Sequence, residues 1–226
     1  MGEHQGRVVE AGRISYGAQP LPQQLAVAPA LRRLVGLVMS LEDPHPVLDE
    51  MAARLADWER DLASVAPPDQ RPRIGPDADD ARRVYVDHAY DIGAFNPCFP
   101  EYVFDRLDTD RAEGRVTFPL AFEGPPGLVH GGFLGVFFDS VTQHQSCAVG
   151  VSGKTRSLTV TYRRPTPLAT ELQFTIDRTV GERGIDSTAR LLLDGDVLCT
   201  GVVNTVAADV GRLAGTRYGT RRNATG

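Results

Sequence analysis

The sequence lacks most of what would tie a chain to a membrane, a secretory route, a metal or a nucleic acid. No apolar run approaches the ~20 residues that a membrane span needs. The first residues, Met1 to Gly12, are polar and hold no apolar signal-peptide core. Gly6 stands where a myristoylation pattern needs Ser or Thr. There are only 3 cysteines, Cys98, Cys147 and Cys199, far apart and odd in number. They make neither a disulfide scaffold nor a metal-binding spacing, which points to a reducing, cytoplasmic setting. No His/Cys cluster reads as a metal site, and no Gly-x-Ser-x-Gly elbow is present. Positive charge is in deficit: 24 Lys and Arg against 29 Asp and Glu give a net charge of −5. Without a basic stripe interleaved with aromatics, nucleic acid is not an expected partner. The stretch from Ala148 to Gly153-Lys154-Thr155 is one residue away from a phosphate-binding loop, with Ala where the first Gly belongs. It follows a helix and opens a strand, the reverse of what that loop requires.

What is present is a chain of 226 residues, 42% hydrophobic, enough for one domain with a real core and an appendage. Its organising stretch is Gly124-Pro125-Pro126-Gly127-Leu128-Val129-His130-Gly131-Gly132, continuing into Phe133-Leu134-Gly135-Val136-Phe137-Phe138-Asp139. A Pro/Gly turn ends in His-Gly-Gly, and an apolar run with one carboxylate follows. The run from Phe133 to Val141 reads as a helix apolar nearly all round, hence buried. Gly132, Val136, Asp139 and Gln143 fall on one stripe of it. The start of a helix leaves N–H groups unpaired and carries a positive partial charge, so the glycine turn is a candidate oxyanion site. A carboxylate inside such a run needs a partner or a task.

In chain order, residues 1–22 read as poorly ordered and 23–81 as a helical extension with a linker. Residues 82–206 form the main domain, and 207–226 a mobile tail. Leu25, Leu31, Leu34, Val35, Val38 and Leu41 recur at helical spacing. After the break at Asp43-Pro44-His45-Pro46, so do Val47, Leu48, Met51, Leu55, Trp58 and Leu62. The linker spans 66–81, and Val84-Tyr85-Val86 reads as a short strand. Asn96 to Pro100 reads as a rigid turn. Residues 102–108 and 115–122 alternate as two strands joined near Glu113-Gly114. Four more strands follow a helix over about 130–147, with Gly181 to Gly184 and Asp194-Gly195 as turns. One apolar helix plus a meander of strands predicts an α+β domain in which an antiparallel sheet wraps around the helix.

His-Gly-Gly, six residues, then Asp resembles the signature of hotdog-fold acyl-CoA thioesterases, of the phenylacetic-acid-pathway and mitochondrial types. The Gly-Pro-Pro-Gly before it is similar to the second type. The resemblance covers roughly residues 95–206. It implies hydrolysis of acyl-CoA or acyl-carrier thioesters, with coenzyme A as part of the substrate and no separate cofactor. It also implies a site formed between two subunits, in a homodimer or dimer of dimers. Asp139 is then general base or nucleophile, the N–H groups around Gly131 and Gly132 hold the thioester oxygen, and His130 orients substrate or locks the turn. Thr155 stands sixteen residues after Asp139, where the mitochondrial type has a water-holding threonine, with Ser157 as a neighbour on the same face. Gln143 is a substrate-contact candidate one turn beyond Asp139. Lys154, Arg156, Arg163 and Arg164 form a basic segment suited to phosphates of a pantetheine carrier.

The Asn that many relatives carry before the turn is missing, since Glu123-Gly124-Pro125-Pro126 occupies that region. Two alternative functions follow: a non-catalytic acyl-thioester or lipid binder, and a hotdog dehydratase. A dehydratase needs a His placed to abstract a proton, with its acid on the partner helix. Here His precedes the helix and Asp lies within it, which fits hydrolysis better.

Overall fold

A computed structural model of the chain describes residues 20–66, 90–150, 153–182 and 184–207. The expected linker beyond Ala66, the expected strand at Val84-Tyr85-Val86 and nearly all of the two expected terminal segments lie outside these residues.

Two helices come first, α1 (Pro22–Met39) and α2 (Pro46–Val65), then a four-residue α3 (Ile92–Phe95). Strands β1 (Tyr102–Leu107) and β2 (Arg111–Thr117) lead through a 3-10 turn, Leu120–Phe122, to α4 (Gly131–Ala148). Strands β3 (Gly153–Tyr162), β4 (Glu171–Gly181), β5 (Gly184–Leu193) and β6 (Asp196–Ala207) complete one six-stranded sheet in the order β1-β2-β4-β5-β6-β3. Every neighbouring pair is antiparallel. The β5–β6 turn is Asp194-Gly195, both with positive φ (51° and 85°), as a two-residue hairpin demands.

Alternation along β4 and β5 drives the packing. Leu172, Phe174 and Ile176 on one strand, and Ile185, Ala189 and Leu191 on the next, turn inward and are buried. They meet α4, whose Leu134, Phe137, Phe138 and Val141 are buried in turn. Phe137 lies edge-on to Phe118 and Phe174, at centroid distances of 5.5 and 5.4 Å. Burying one such ring contributes roughly 2–3 kcal/mol, so this seam dominates the core. The helix is not enclosed all round as expected. Gly132 is exposed, and Gly135, Val136, Asp139, Ser140 and Gln143 are only half-buried, so one stripe stays open.

The β1–β2 connection differs from expectation. Gly114 is not at the turn but inside β2, paired with Phe104 and Phe174. A Cβ there would stand 2.2 Å from the Val103 carbonyl oxygen and 2.4 Å from the Phe174 ring. The glycine is therefore a clearance for a neighbouring strand and a ring, not a chain reversal. The reversal is Asp108-Thr109-Asp110, with its carbonyls held from the core side. Gln145 Nε2 donates to Asp108 O (2.9 Å), and the buried Arg178 donates to Thr109 O (2.8 Å). The expected strand over 115–122 is correspondingly shifted to 111–117.

α1 docks through Ala28, the buried Arg32 and Gly36. The Arg32 guanidinium bonds Glu101 (3.2 Å) and the carbonyls of Gly93 and Asn96 around α3. α2 buries no residue, and Val47, Leu55, Trp58, Leu62 and Val65 along it stay exposed.

Gly114→Ala is expected to cost about 2 kcal/mol or more through overpacking. Urea unfolding of the variant against the parent measures it, and an unchanged midpoint would remove the clearance role.

Candidate active site

The open stripe of α4 and the facing end of β3 make the site. Asp139 sits two turns into the helix. Thr155 Oγ1 donates to its Oδ1 at 2.7 Å. That bond depends on a fault in β3. Thr155 pairs with Thr205 and Ser157 with Asn204, so Arg156 is an extra residue, a β-bulge. Beyond it Leu158 and Val160 pack against the core, next to Gly135. Simple alternation would put Thr155 and Leu158 on opposite faces; the bulge lets both face the helix.

The same bulge corrects the reading of Ser157. It is not on the Thr155 face. Its hydroxyl donates to Asn204 Oδ1 at 2.8 Å, and Asn204 donates to Asp186. This polar chain lies on the side of the sheet away from Asp139.

Asp139, Ser140, Gln143, Lys154 and Thr155 line a cavity of about 340 Å³. Its opposite wall is Tyr90, Ile92, Phe99 and Tyr102, from the α3 region and the start of β1. The carboxylate therefore faces accessible space with a polar floor and a largely apolar wall. Gln143 is fixed by its own bond to Gly153 O (3.2 Å) and borders the cavity. Lys154, the only lysine in the sequence, stands at the same place. The expected basic segment does not converge there. Arg163 and Arg164 follow the far end of β3, where both backbone amides bond Leu198 O and the Arg164 side chain pairs with Asp196. Arg156 is exposed at the bulge.

At the start of α4 the Pro126-Gly127 pair forms a tight turn, with Gly127 at φ 75° and Leu128 N–H donating to Pro125 O (2.9 Å). It delivers His130 as N-cap. The His130 ring accepts from Gly132 N–H through Nδ1 at 3.0 Å, and its carbonyl accepts from Phe133 N–H at 2.9 Å. Only a ring without a proton on Nδ1 can do this. Of the two glycine amides expected to hold an oxygen, Gly132 is thus already occupied by the cap. Gly131 N–H is the one these bonds leave over.

Sequence reasoning missed the α3 wall and its support. Asp91 accepts from Gly93 N–H (2.9 Å) and Tyr102 N–H (3.2 Å), stapling α3 to β1. Burial pushes its carboxyl up to about 7, against the lowering effect of those two bonds. His144 bonds the Tyr102 hydroxyl through Nδ1 at 3.1 Å and packs edge-on to Phe104. Both are placed by tertiary contacts with no local pattern.

No protein-family model matches the chain, and no curated protein matches it in sequence. Solved structures do. A thioesterase superfamily protein is 25% identical, with a TM-score of 0.67, over 87% of this chain and 98% of its own. That share exceeds what residues 102–207 alone supply, so the likeness extends into the N-terminal helices. This is the hotdog fold of the thioesterase superfamily. Two further hotdog structures align over about half the chain. A hypothetical thioesterase protein from Streptococcus pneumoniae, solved with coenzyme A, is 14% identical over 48% of this chain and 89% of its own, with a TM-score of 0.45. A phenylacetic acid degradation-related protein from Ralstonia eutropha is 26% identical over 46% and 83%, with a TM-score of 0.43.

The raised Asp91 group binds a proton in the folded state that the unfolded chain has already lost. Its stabilising contribution is complete below about pH 4 and is lost as pH rises through about 7, a decline on the order of 4 kcal/mol at the limit. Asp91→Asn should flatten the stability profile across that window. Chemical denaturation at pH 4 to 8 tests this, and an identical slope in both proteins would dismiss it.

Proposed function

We propose that this hotdog protein hydrolyses acyl thioesters, with coenzyme A esters as the substrate class and Asp139 as the group that activates water. The observation that carries the reading is the Asp139–Thr155 bond at the floor of an open cavity. A hydroxyl that donates to a carboxylate keeps lone pairs on its oxygen. One water can therefore give one proton toward Asp139 and the other toward Thr155, leaving its own lone pair aimed at the thioester carbon. As the C–O bond forms, negative charge collects on the carbonyl oxygen, and an amide N–H stabilises it. Collapse breaks the C–S bond and returns the proton to the departing thiolate. The apolar wall of Ile92 and Phe99 suits an acyl group, and Lys154 suits an anionic part of the carrier.

The remaining amide donor, Gly131 N–H, cannot serve the Asp139 of its own chain. Eight residues of helix separate them by about 12 Å, and first-turn N–H groups point out of the helix start, away from the body. One carbonyl cannot reach both. The reading therefore assembles the site from two copies, Gly131 N–H of one facing Asp139 of the other across the open α4 stripes. A homodimer is the smallest assembly that satisfies it.

Thiol release should be detectable across a panel of acyl-CoA esters, and Asp139→Asn should lower kcat by a factor of about 100 or more. Wild-type turnover in that variant would reject Asp139 as the base. Gly131→Pro removes that amide hydrogen, after a residue already extended at ψ 131°, and its Cβ would also crowd the Tyr162 hydroxyl at 2.8 Å, so the variant disables the helix start as a whole. Each single variant should be nearly inactive. Mixed dimers of Gly131→Pro with Asp139→Asn keep one intact site and should regain about a quarter of wild-type activity on random mixing. No recovery in the mixture would overturn the shared site.

A further inference from the structure

We infer that Tyr162, whose ring is more than half exposed, is a positioning residue for the amide that receives the thioester oxygen. The inference rests on the thioesterase reading of the site.

The His-Gly-Gly start of α4 has a mechanical weakness. Two successive glycines carry the widest backbone freedom, and the first turn of a helix lacks the intrahelical bonds that steady the rest. An amide that must stay aimed at a developing charge would drift there. The peptide group that follows this amide, between Gly131 and Gly132, is nevertheless gripped at both ends. Its N–H donates to His130 Nδ1 at 3.0 Å, and its carbonyl accepts from the Tyr162 hydroxyl at 2.9 Å. One jaw comes from the residue before the helix and the other from the last residue of β3, so the helix start is fixed relative to the sheet.

Three features point to the hydroxyl rather than to ring packing. Tyr162 is 57% exposed, so its ring supplies little core burial. Its oxygen stands 2.8 Å from where a Cβ on Gly131 would lie, so position 131 is fitted to the hydroxyl. Its place in β3 is in phase with Leu158 and Val160, the face turned to α4, so the same bulge that brings Thr155 to Asp139 allows Tyr162 to reach Gly131. The tyrosine thus holds Gly131 from behind while leaving its N–H uncovered. It touches neither substrate nor reacting atoms in this role.

Tyr162→Phe removes only the hydroxyl. The expected result is a fall in kcat of about ten-fold with KM unchanged, no loss of thermal stability, and amide hydrogen exchange at Gly132 accelerated several-fold in 15N-labelled protein. His130→Asn, which keeps an N-cap acceptor, should retain slow exchange at Gly132. Wild-type exchange and wild-type kcat in Tyr162→Phe would overturn the inference, as would a change confined to KM. A wild-type protein that releases no thiol from any acyl-CoA rejects the thioesterase reading instead. In that case unaltered exchange in Tyr162→Phe still rejects the clamp, and accelerated exchange upholds it as a clamp on the helix start.

Discussion

A sheet that closes around one helix must leave that helix some way to meet the outside. Here α4 buries Leu134, Phe137, Phe138 and Val141 against strands whose inward residues are Leu, Phe, Ile and Ala. Interiors pack at crystal-like density, so the helix has little freedom to roll. The polar residues of its remaining stripe are held wherever the aromatic seam puts them. Asp139 owes its exposure to the cavity to Phe137 and Phe138, not to anything in its own neighbourhood. A charged group is tolerated in so apolar a helix because it lies on the one side the sheet does not cover and has a hydroxyl partner.

The two ends of that stripe are made rigid by different means. Thr155 restrains the carboxylate end from the bulged part of β3. At the helix start, the His130 ring turns a loose glycine pair into a capped terminus. The cavity wall opposite is tied down more indirectly. Asp91 staples α3 to β1, and Arg32 from α1 holds the carbonyls of the same small loop. The first helix is therefore part of the scaffold of the wall. The second helix makes no comparable contribution, since none of its residues is buried.

Much of the fold was legible because it rests on periodicity. The α4 run, the four strands after it and the Asp194-Gly195 hairpin follow from alternation and turn chemistry that a single chain displays. The site was legible only as far as the His-Gly-Gly and Asp spacing reached, which brought out Asp139, His130 and the glycine amides as candidates. What escaped depends on neighbours distant in sequence. Gly114 looks like a turn and is a clearance for Phe174. Arg178 falls on the inward face of β4 by alternation, but nothing local marks it as the tether of the β1–β2 reversal. Ser157 looked equivalent to a position two residues earlier, because nothing in Gly153 to Tyr162 marks where the strand slips.

That slip bears on how this chain is lined up with others. On either side of Arg156 the same face of β3 is read in opposite parity, odd numbers before it and even numbers after. A relative whose strand runs true would need a one-residue gap at this point to superimpose. An ungapped comparison would match core to surface over half the strand and credit the hydroxyl at 157 with a duty that belongs to 155. Shortening β3 by a single residue there would carry the same penalty in the molecule itself, turning either the hydroxyl or the packing face outward.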